Sequence, residues 1–257
     1  MNLISKWWLL ACFIGFISVN SAHAQQSDPL RFFHWMVGDV VAMPQSALSL
    51  RAGITLGVAV TGILAVSHYD RSLSDHAQSF ANSSPSSVRR VFHEIGNERI
   101  IRPMAVILFV GALTSRNTYF QDAAFTSMES IFLANIFTNS MKLVVGRSRP
   151  NTDVGPRVVH PFSGHRSFPS GHATTVFAFT TPWLIYYPNL ATGTLFVLGV
   201  GTAIARMADK HHWFSDVLGG ALIGFGTGYI LSRRHMDLRR GVNLNISANQ
   251  FSVTWTI

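Results

Sequence analysis

The chain has 257 residues, of which 12% are charged and 48% apolar, with 20 glycines and 19 phenylalanines. That length supports a core well above the size that needs disulfide or metal staples, and the mixture is too apolar for an ordinary water-soluble domain, so it points to one helical domain in or at a membrane. Lys and Arg number 20 against 12 Asp and Glu, a formal charge of +8; anionic lipids or phosphorylated substrates suit it as partners, and nucleic acid is set aside because the basic residues are scattered and no nucleic-acid-binding motif occurs.

Residues 1–24 read as a secretory signal, with Lys6 as the positive region, Trp7 to Val19 as the apolar stretch and Ala22-His23-Ala24 as a small-x-small cleavage site. Cleavage would leave a chain starting at Gln25 without a thiol, since the single cysteine is Cys12. Leu9-Leu10-Ala11-Cys12 looks like a lipoprotein box, but the apolar run continues past the cysteine, and a retained signal anchor is the stronger rival. Residues 25–50 are mixed, with Phe32, Phe33, Trp35 and Met36 spaced as an amphipathic segment that packs on the core or a membrane surface.

A helical domain is expected over residues 51–235. Ala52 to Ser67 is a charge-free run that reads as the first buried helix, ended by His68-Tyr69-Asp70-Arg71. Residues 70–99 read as a polar connection, with a loop at Asn82 to Ser87 and a short amphipathic helix around Val88 to Ile95. Pro103 to Ser115 and Ala123 to Val145 read as helices, the second carrying Glu129, Asn135, Asn139 and Lys142 on a stripe expected to face the protein interior. A loop rich in Arg, Pro and Gly, residues 146–168, precedes helices at Ala173 to Tyr187, Leu190 to Ala205 and Val217 to Ser232. In the last of these, Gly219, Gly220, Gly224, Gly226 and Gly228 thin the helix for close packing. In the tail, residues 241–257, Val242, Leu244 and Ile246 alternate, as do Phe251, Val253, Trp255 and Ile257 after a turn at Ser247 to Gln250; that is a β-hairpin pattern.

Three polar clusters carry chemistry. Pro169-Ser170-Gly171-His172 makes a turn at a helix N-terminus, where unpaired amides and the helix dipole suit a phosphate; alone, it is equally an N-cap followed by a surface histidine. Lys142, followed at a distance by Arg149-Pro150, supplies two cations at and beyond a helix end. Arg206, His212 and Asp216 form the third cluster, and a helix starting near His212 would put His212 and Asp216 at i and i+4 on one face. Asp216 then fixes the tautomer of His212, whose free nitrogen is a nucleophile toward phosphorus. Lys142, Arg149 and Arg206 surround the phosphoryl oxygens, the Ser170 and Gly171 amides cradle them, and His172 protonates the leaving alkoxide. His160, His165 and His211 read as loop residues. Arg147, Arg157 and Arg166 either extend the positive funnel or are solvated.

In this order the clusters, Lys142-x6-Arg149-Pro150, Pro169-Ser170-Gly171-His172 and Ala205-Arg206-x5-His212-x3-Asp216, resemble the type 2 phosphatidic acid phosphatase (PAP2) and vanadium haloperoxidase superfamily. Ala205 stands where that family usually has Ser, a position not thought essential there. The resemblance covers roughly residues 120–232. It implies an all-α bundle of about six core helices, a phosphohistidine on His212, and no metal or cofactor, with phosphate or vanadate able to occupy the site as an anion. A further implication is an exported envelope phosphatase acting on lipid phosphates or diphosphates, such as phosphatidic acid, phosphatidylglycerol phosphate, an isoprenoid diphosphate or lipid A, from the periplasmic side. The alternatives are a soluble periplasmic acid phosphatase on small phosphoesters, a vanadate haloperoxidase and a non-catalytic lipid-binding scaffold. Simple crossing counts conflict with an outward site: runs at Ala52 to Ser67, Pro103 to Ser115 and Ala123 to Met141 would put it inside, so the short middle run does not cross or the bundle rests at the surface.

Overall fold

The computed structural model describes residues 30–47, 49–85, 87, 98–239, 242–247 and 250–255. The signal segment and the helix expected at Val88 to Ile95 lie outside these residues. Among the described residues there are eight α-helices: α1 Arg31–Ala47, α2 Leu50–Ser67, α3 Asp70–Ser83, α4 Glu98–Thr114, α5 Thr118–Val145, α6 Gly171–Tyr186, α7 Leu190–Ala208 and α8 Phe214–Arg239. A single turn of 3-10 helix, Pro150–Thr152, interrupts the loop between α5 and α6. The expected hairpin is present as β1 Val242–Ser247 and β2 Gln250–Trp255, antiparallel, with Ser247 opposite Gln250 and Val242 opposite Trp255.

One correction concerns residues 70–83, read as a polar connection and found as α3. Its buried positions are Asp70, Ser74 and Ala77, a stripe too small and polar to register as hydrophobic periodicity. A second concerns the polar stripe of α5: Glu129 is buried and Asn135 exchanges hydrogen bonds with Thr175, but Asn139 is exposed.

Sequence signals account for the ends of the central helices. Asn117 Oδ1 accepts the Tyr119 and Phe120 amides, both at 3.0 Å, and starts α5. Gly146 ends it with φ 57°, and a Cβ there would lie 1.8 Å from the His160 carbonyl oxygen, so only glycine lets the loop fold back. Ser170 is the N-cap of α6, its hydroxyl oxygen facing the Ala173 amide at 3.5 Å.

The bundle is centred on α6, which packs against α5 on one side and α8 on the other. Phe125 of α5 and Val176, Phe179, Trp183 and Tyr186 of α6 form the core with Leu108 of α4. The α6–α8 approach depends on a stripe at every fourth residue of α8. A Cβ on Gly220 would meet the Ser170 carbonyl oxygen at 2.3 Å, one on Gly224 the Thr174 carbonyl oxygen at 2.3 Å, and one on Gly228 the Thr181 Cβ at 2.9 Å. Backbone therefore touches backbone, as small residues permit. Gly219 faces the Phe168 ring instead, and Gly226 has nothing within 4 Å, so it plays no part in that packing.

Far along α8 a second polar contact docks α1. The Thr126 hydroxyl gives its proton to the Asp122 carbonyl at 2.6 Å and so receives the Nδ1 proton of His235 at 2.7 Å. His235 Nε2 and Asp39 Oδ2, 2.7 Å apart, therefore share a further proton, while Arg234 pairs with Oδ1 of the same aspartate. Trp35 stacks on the His235 ring, with centroids 3.9 Å apart. Asp39 is 1% exposed, so removing it strands its partners away from full solvation. Asp39→Ala is expected to cost about 3–5 kcal/mol, read as a lower thermal unfolding temperature in detergent.

Candidate active site

The loops and helix ends that carry the three motifs meet at one end of the bundle. Lys142 lies in the last turn of α5 and Arg206 in the last turn of α7, while His172 and Asp216 lie in the first turns of α6 and α8. The 146–168 loop closes over this end through the Ser148 amide to the Val158 carbonyl, 3.0 Å, and the His160 amide to the Gly146 carbonyl, 2.8 Å. The two helix starts are joined directly, because the Ser170 amide donates to the Asp216 carbonyl at 2.9 Å.

That bond corrects one expectation: the Ser170 N–H is committed to Asp216 and does not face a phosphate. Gly171, the first residue of α6, is left as the amide of that pair at the helix start. Lys142 Nζ donates to the Arg166 carbonyl at 3.0 Å, which holds the amine at the rim of the loop. The exposed rings of His160 and His165 lie 4.9 Å apart in that loop, and His211 Nδ1 meets the Asp209 carbonyl oxygen at 2.9 Å.

His212 is 2% exposed and precedes α8, which begins at Phe214. The i, i+4 pairing with Asp216 survives in looser form: Nδ1 is 3.7 Å from Asp216 Oδ2, an ion-pair distance and too long for a hydrogen bond. Nδ1 thus faces the carboxylate, and Nε2 is the ring nitrogen on the other side. Asp216 itself is tightly held. Its Oδ2 accepts the Trp213 amide at 2.9 Å and the Ser167 hydroxyl at 2.5 Å, and its Oδ1 accepts Arg147 Nη1 at 2.6 Å. An acid three residues into a helix, reaching back to the amide before it, is the returning half of a capping box.

Behind Asp216 lies a knot that sequence reading missed. Arg147, read as part of a positive funnel or as solvated, is only 6% exposed. Its guanidinium bonds Asp216 Oδ1 and the Ser215 hydroxyl through Nη1, and Asp70 Oδ2 and the Pro156 carbonyl through Nη2, at 2.5–2.7 Å. Asp70 also accepts the Ser215 amide at 2.8 Å and its hydroxyl at 2.7 Å. Two carboxylates share one guanidinium, so the knot carries an excess negative charge directly behind His212.

The electrostatics on the open side are the reverse. Burial, then the charges of Arg206, His212, His211 and Lys142, hold His172 down to about 3. Burial also lowers His212; Asp216 pulls it back up, and Lys142 and Arg149 push it further down. Lys142, Arg149, Arg206, His172, His212 and Asp216 are therefore brought into one electrostatic site. Both histidines are neutral bases facing fixed cations, an arrangement that awaits an anion.

Among the described residues, Asp39, Glu129 and His235 form a buried group whose ligand atoms lie within 4.8 Å of one another, close enough to share a metal ion. Glu129 stands about 20 Å from Lys142 along α5, at 1.5 Å per residue, so this group does not serve the two histidines.

Residues 123–240 match the family model described as the PAP2 superfamily. The chain is 30% identical over 148 residues to a PA-phosphatase related-family protein of Dictyostelium discoideum, covering 49% of this chain and 54% of that protein. It is 32% identical over 100 residues to lipid A 1-phosphatase of Rhizobium etli, 37% of this chain and 43% of that one. It is also 29% identical over 126 residues to the putative undecaprenyl-diphosphatase YbjG of Escherichia coli, 49% and 61%. The chain thus spans about half the length of the curated relatives it matches. Among solved structures it is similar to the transmembrane PAP2 type phosphatidylglycerolphosphate phosphatase from Bacillus subtilis, with a TM-score of 0.51 and 20% identity, covering 82% of this chain and 98% of that one. At that identity the likeness is one of fold. The match over residues 123–240 makes that part of the chain similar to the PAP2 superfamily, and the structural likeness adds a shared fold.

Proposed function

We propose that the protein is a membrane phosphatase that releases phosphate from phosphomonoester or diphosphate groups of lipids through a phosphohistidine on His212. The observation that carries this reading is the pairing of two neutral histidines with three cations, Lys142, Arg149 and Arg206, at one end of an apolar bundle.

A lipid substrate is favoured over a small soluble phosphoester by the surface of the helices. Among the described residues three are long and apolar enough to cross a membrane, α2, α7 and α8. Among the described residues α2 buries none of its own, and Leu50, Ile54, Leu56, Val58 and Leu64 are exposed along it. The helices at 98–114 and 118–145 are not among the three, but removing two crossings leaves the count odd, and α2 crossing from an exported start still brings Ser67 to the inner face. At the site end α2 finishes at Ser67, α7 finishes beside Arg206 and α8 begins beside Asp216. These ends support a site at one membrane face, within reach of a lipid headgroup. The periplasmic face is proposed from the resemblance, against the crossing count, and labelling of an engineered cysteine tests it.

In the proposed reaction His212 Nε2 attacks phosphorus, and the bond from phosphorus to the lipid oxygen breaks as the bond to nitrogen forms. Lys142, Arg149 and Arg206 neutralise the phosphoryl oxygens. His172 is neutral in the empty site, held there by burial first and then by the neighbouring positive charges; a phosphate among the cations reverses the second of these, so it takes up a proton along with the substrate and passes it to the leaving oxygen. Water then attacks phosphorus and returns a proton to His172, the bond to nitrogen breaks and inorganic phosphate leaves. The excess negative charge of the Asp70–Arg147–Asp216 knot stabilises the imidazole as it becomes positive. Asp70 and Arg147 are positioning residues, acting through Asp216.

Phosphate release from a panel of lipid phosphates in mixed micelles is expected to vanish in His212→Ala, and undiminished release would overturn the mechanism. His172→Ala should lower kcat about 10²–10⁴-fold on alkyl phosphates and far less on p-nitrophenyl phosphate, whose leaving group needs no proton. Asp70→Asn leaves the Arg147 charge less compensated next to Asp216, which lowers the proton affinity of His212. kcat should fall by roughly 10–100-fold, a loss typical of groups that orient an acting side chain from behind, with KM nearly unchanged. Because His212 must be neutral to attack, the acid limb of kcat should move to lower pH in that variant. In a Cys12→Ser background, Gly164→Cys, whose Cβ meets nothing within 4 Å, should react with a membrane-impermeant maleimide in intact cells if the site faces outward.

A further inference from the structure

Three helices each send one metal-ligating side chain to a buried point far from the histidine pair: Asp39 of α1, Glu129 of α5 and His235 of α8. All three are 1% exposed or less. A carboxylate in such a place is costly unless a cation or a donor answers it. Asp39 has both, since Arg234 pairs with its Oδ1 and His235 Nε2 lies 2.7 Å from its Oδ2. Glu129 is answered by neither. Arg31 and Arg239 are both committed to Asp122, and among the described residues no donor hydrogen-bonds to either Glu129 carboxyl oxygen. Its Oε2 stands 3.7 Å from His235 Nε2, and one ligand atom from each of the three residues lies within 4.8 Å of the other two.

The histidine is oriented as a metal ligand. Thr126 takes the Nδ1 proton at 2.7 Å, and its own hydroxyl proton is held by the Asp122 carbonyl at 2.6 Å, so Nε2 is the nitrogen that faces the two carboxyl groups. Trp35, stacked with centroids 3.9 Å apart, fixes the plane of the ring. A histidine whose far nitrogen donates to a fixed oxygen has its tautomer set and its near nitrogen made more basic, as metal-ligating histidines do. We propose that Asp39, Glu129 and His235 bind one divalent transition-metal ion, Zn²⁺ or Mn²⁺, which clamps α1 to α5 and α8. One imidazole with two carboxylates suits these ions, whereas Mg²⁺ and Ca²⁺ prefer oxygen alone. On binding, the ion takes the place of the proton between His235 Nε2 and Asp39 Oδ2, which leaves to solvent. Those two atoms then part by roughly 0.7 Å, so that each lies about 2.0–2.2 Å from the metal. Glu129 supplies the second negative charge, and Arg234, with a side chain 35% exposed, forms the outer wall past which the ion enters. The site is structural and stands apart from the phosphoryl chemistry, so it holds whether or not that reading does.

The test uses the untagged full chain in a neutral detergent, stripped with a chelator and dialysed, with zinc chloride or manganese chloride as the probe. Elemental analysis after loading and gel filtration is expected to find about one ion per chain, and saturating Zn²⁺ should raise the thermal unfolding temperature by about 5 °C or more. Glu129→Gln keeps the size of the side chain and removes its charge; bound metal and shift should both be lost. Thr126→Val strips the acceptor that orients His235 and should weaken Zn²⁺ binding about 10–100-fold. His160→Ala/His165→Ala, which deletes the exposed ring pair of the 146–168 loop, should keep both metal and shift. Less than about half an ion bound to the intact chain would overturn the site, and so would a shift of equal size in Glu129→Gln or one that disappears with His160 and His165. If Glu129→Gln does not fold, the loading of the intact chain and of Thr126→Val decides: equal affinity in the two overturns the site. An intact chain without metal response, matched or exceeded in stability by Glu129→Gln, also overturns it and marks Glu129 as a protonated partner of Asp39.

Discussion

A single buried cation, the Arg147 guanidinium, holds two carboxylates that come from distant parts of the chain, and the catalytic end of the bundle is assembled around it. Alone, either Asp70 or Asp216 would be a buried carboxylate without a countercharge and would loosen the structure around it. Joined through Arg147, with Ser215 and Ser167 filling the remaining acceptor positions, they are held in place. Because the pair outweighs the guanidinium by one charge, the knot does more than fasten α3 to α8. It places a carboxylate behind His212, where the proposed mechanism develops a positive charge.

The glycine stripe of α8 decides where that charge points. Gly220, Gly224 and Gly228 let α8 approach α6 until backbone meets backbone, and the nearest contact, Gly220 against the Ser170 carbonyl oxygen, lies at the catalytic end. Close approach is what allows the Ser170 amide to reach the Asp216 carbonyl. The two histidine-bearing helix starts are therefore set against each other by packing, and the polar groups inherit their spacing from it. A bulkier stripe would leave every catalytic residue present and the site disassembled.

Much of this was legible in the sequence for a physical reason: helix ends suited to an anion need particular residue types at short spacing, and Lys142 to Arg149, Pro169 to His172 and Arg206 to Asp216 each span only a helix end and the loop beside it. Uncharged runs likewise marked α2, α6 and α7. What escaped was long-range. Asp70 and Arg147 are 77 positions apart, Ser215 and Asp70 145, and Asp39 and His235 196. No periodicity links such pairs, and a buried charge that is fully paired reads in a sequence like any surface charge. The same limit hid α3, whose buried face is built from Asp70, Ser74 and Ala77, and misread the Ser170 amide, whose acceptor lies on another helix.

The two faces of the site pull in opposite directions, and that opposition selects its ligand. On the closed side two carboxylates share one guanidinium; on the open side burial first, and then the positive charge of Lys142, Arg149 and Arg206, keep His172 and His212 neutral. A cation would be repelled at the mouth, whereas an anion is drawn to it. A monoanion would offset only part of the field. In the proposed mechanism a phosphate dianion raises the proton affinity of His172, so binding supplies the acid that protonates the leaving oxygen in the first half of the reaction. His172 then has no proton to give in the empty site and has one in the complex.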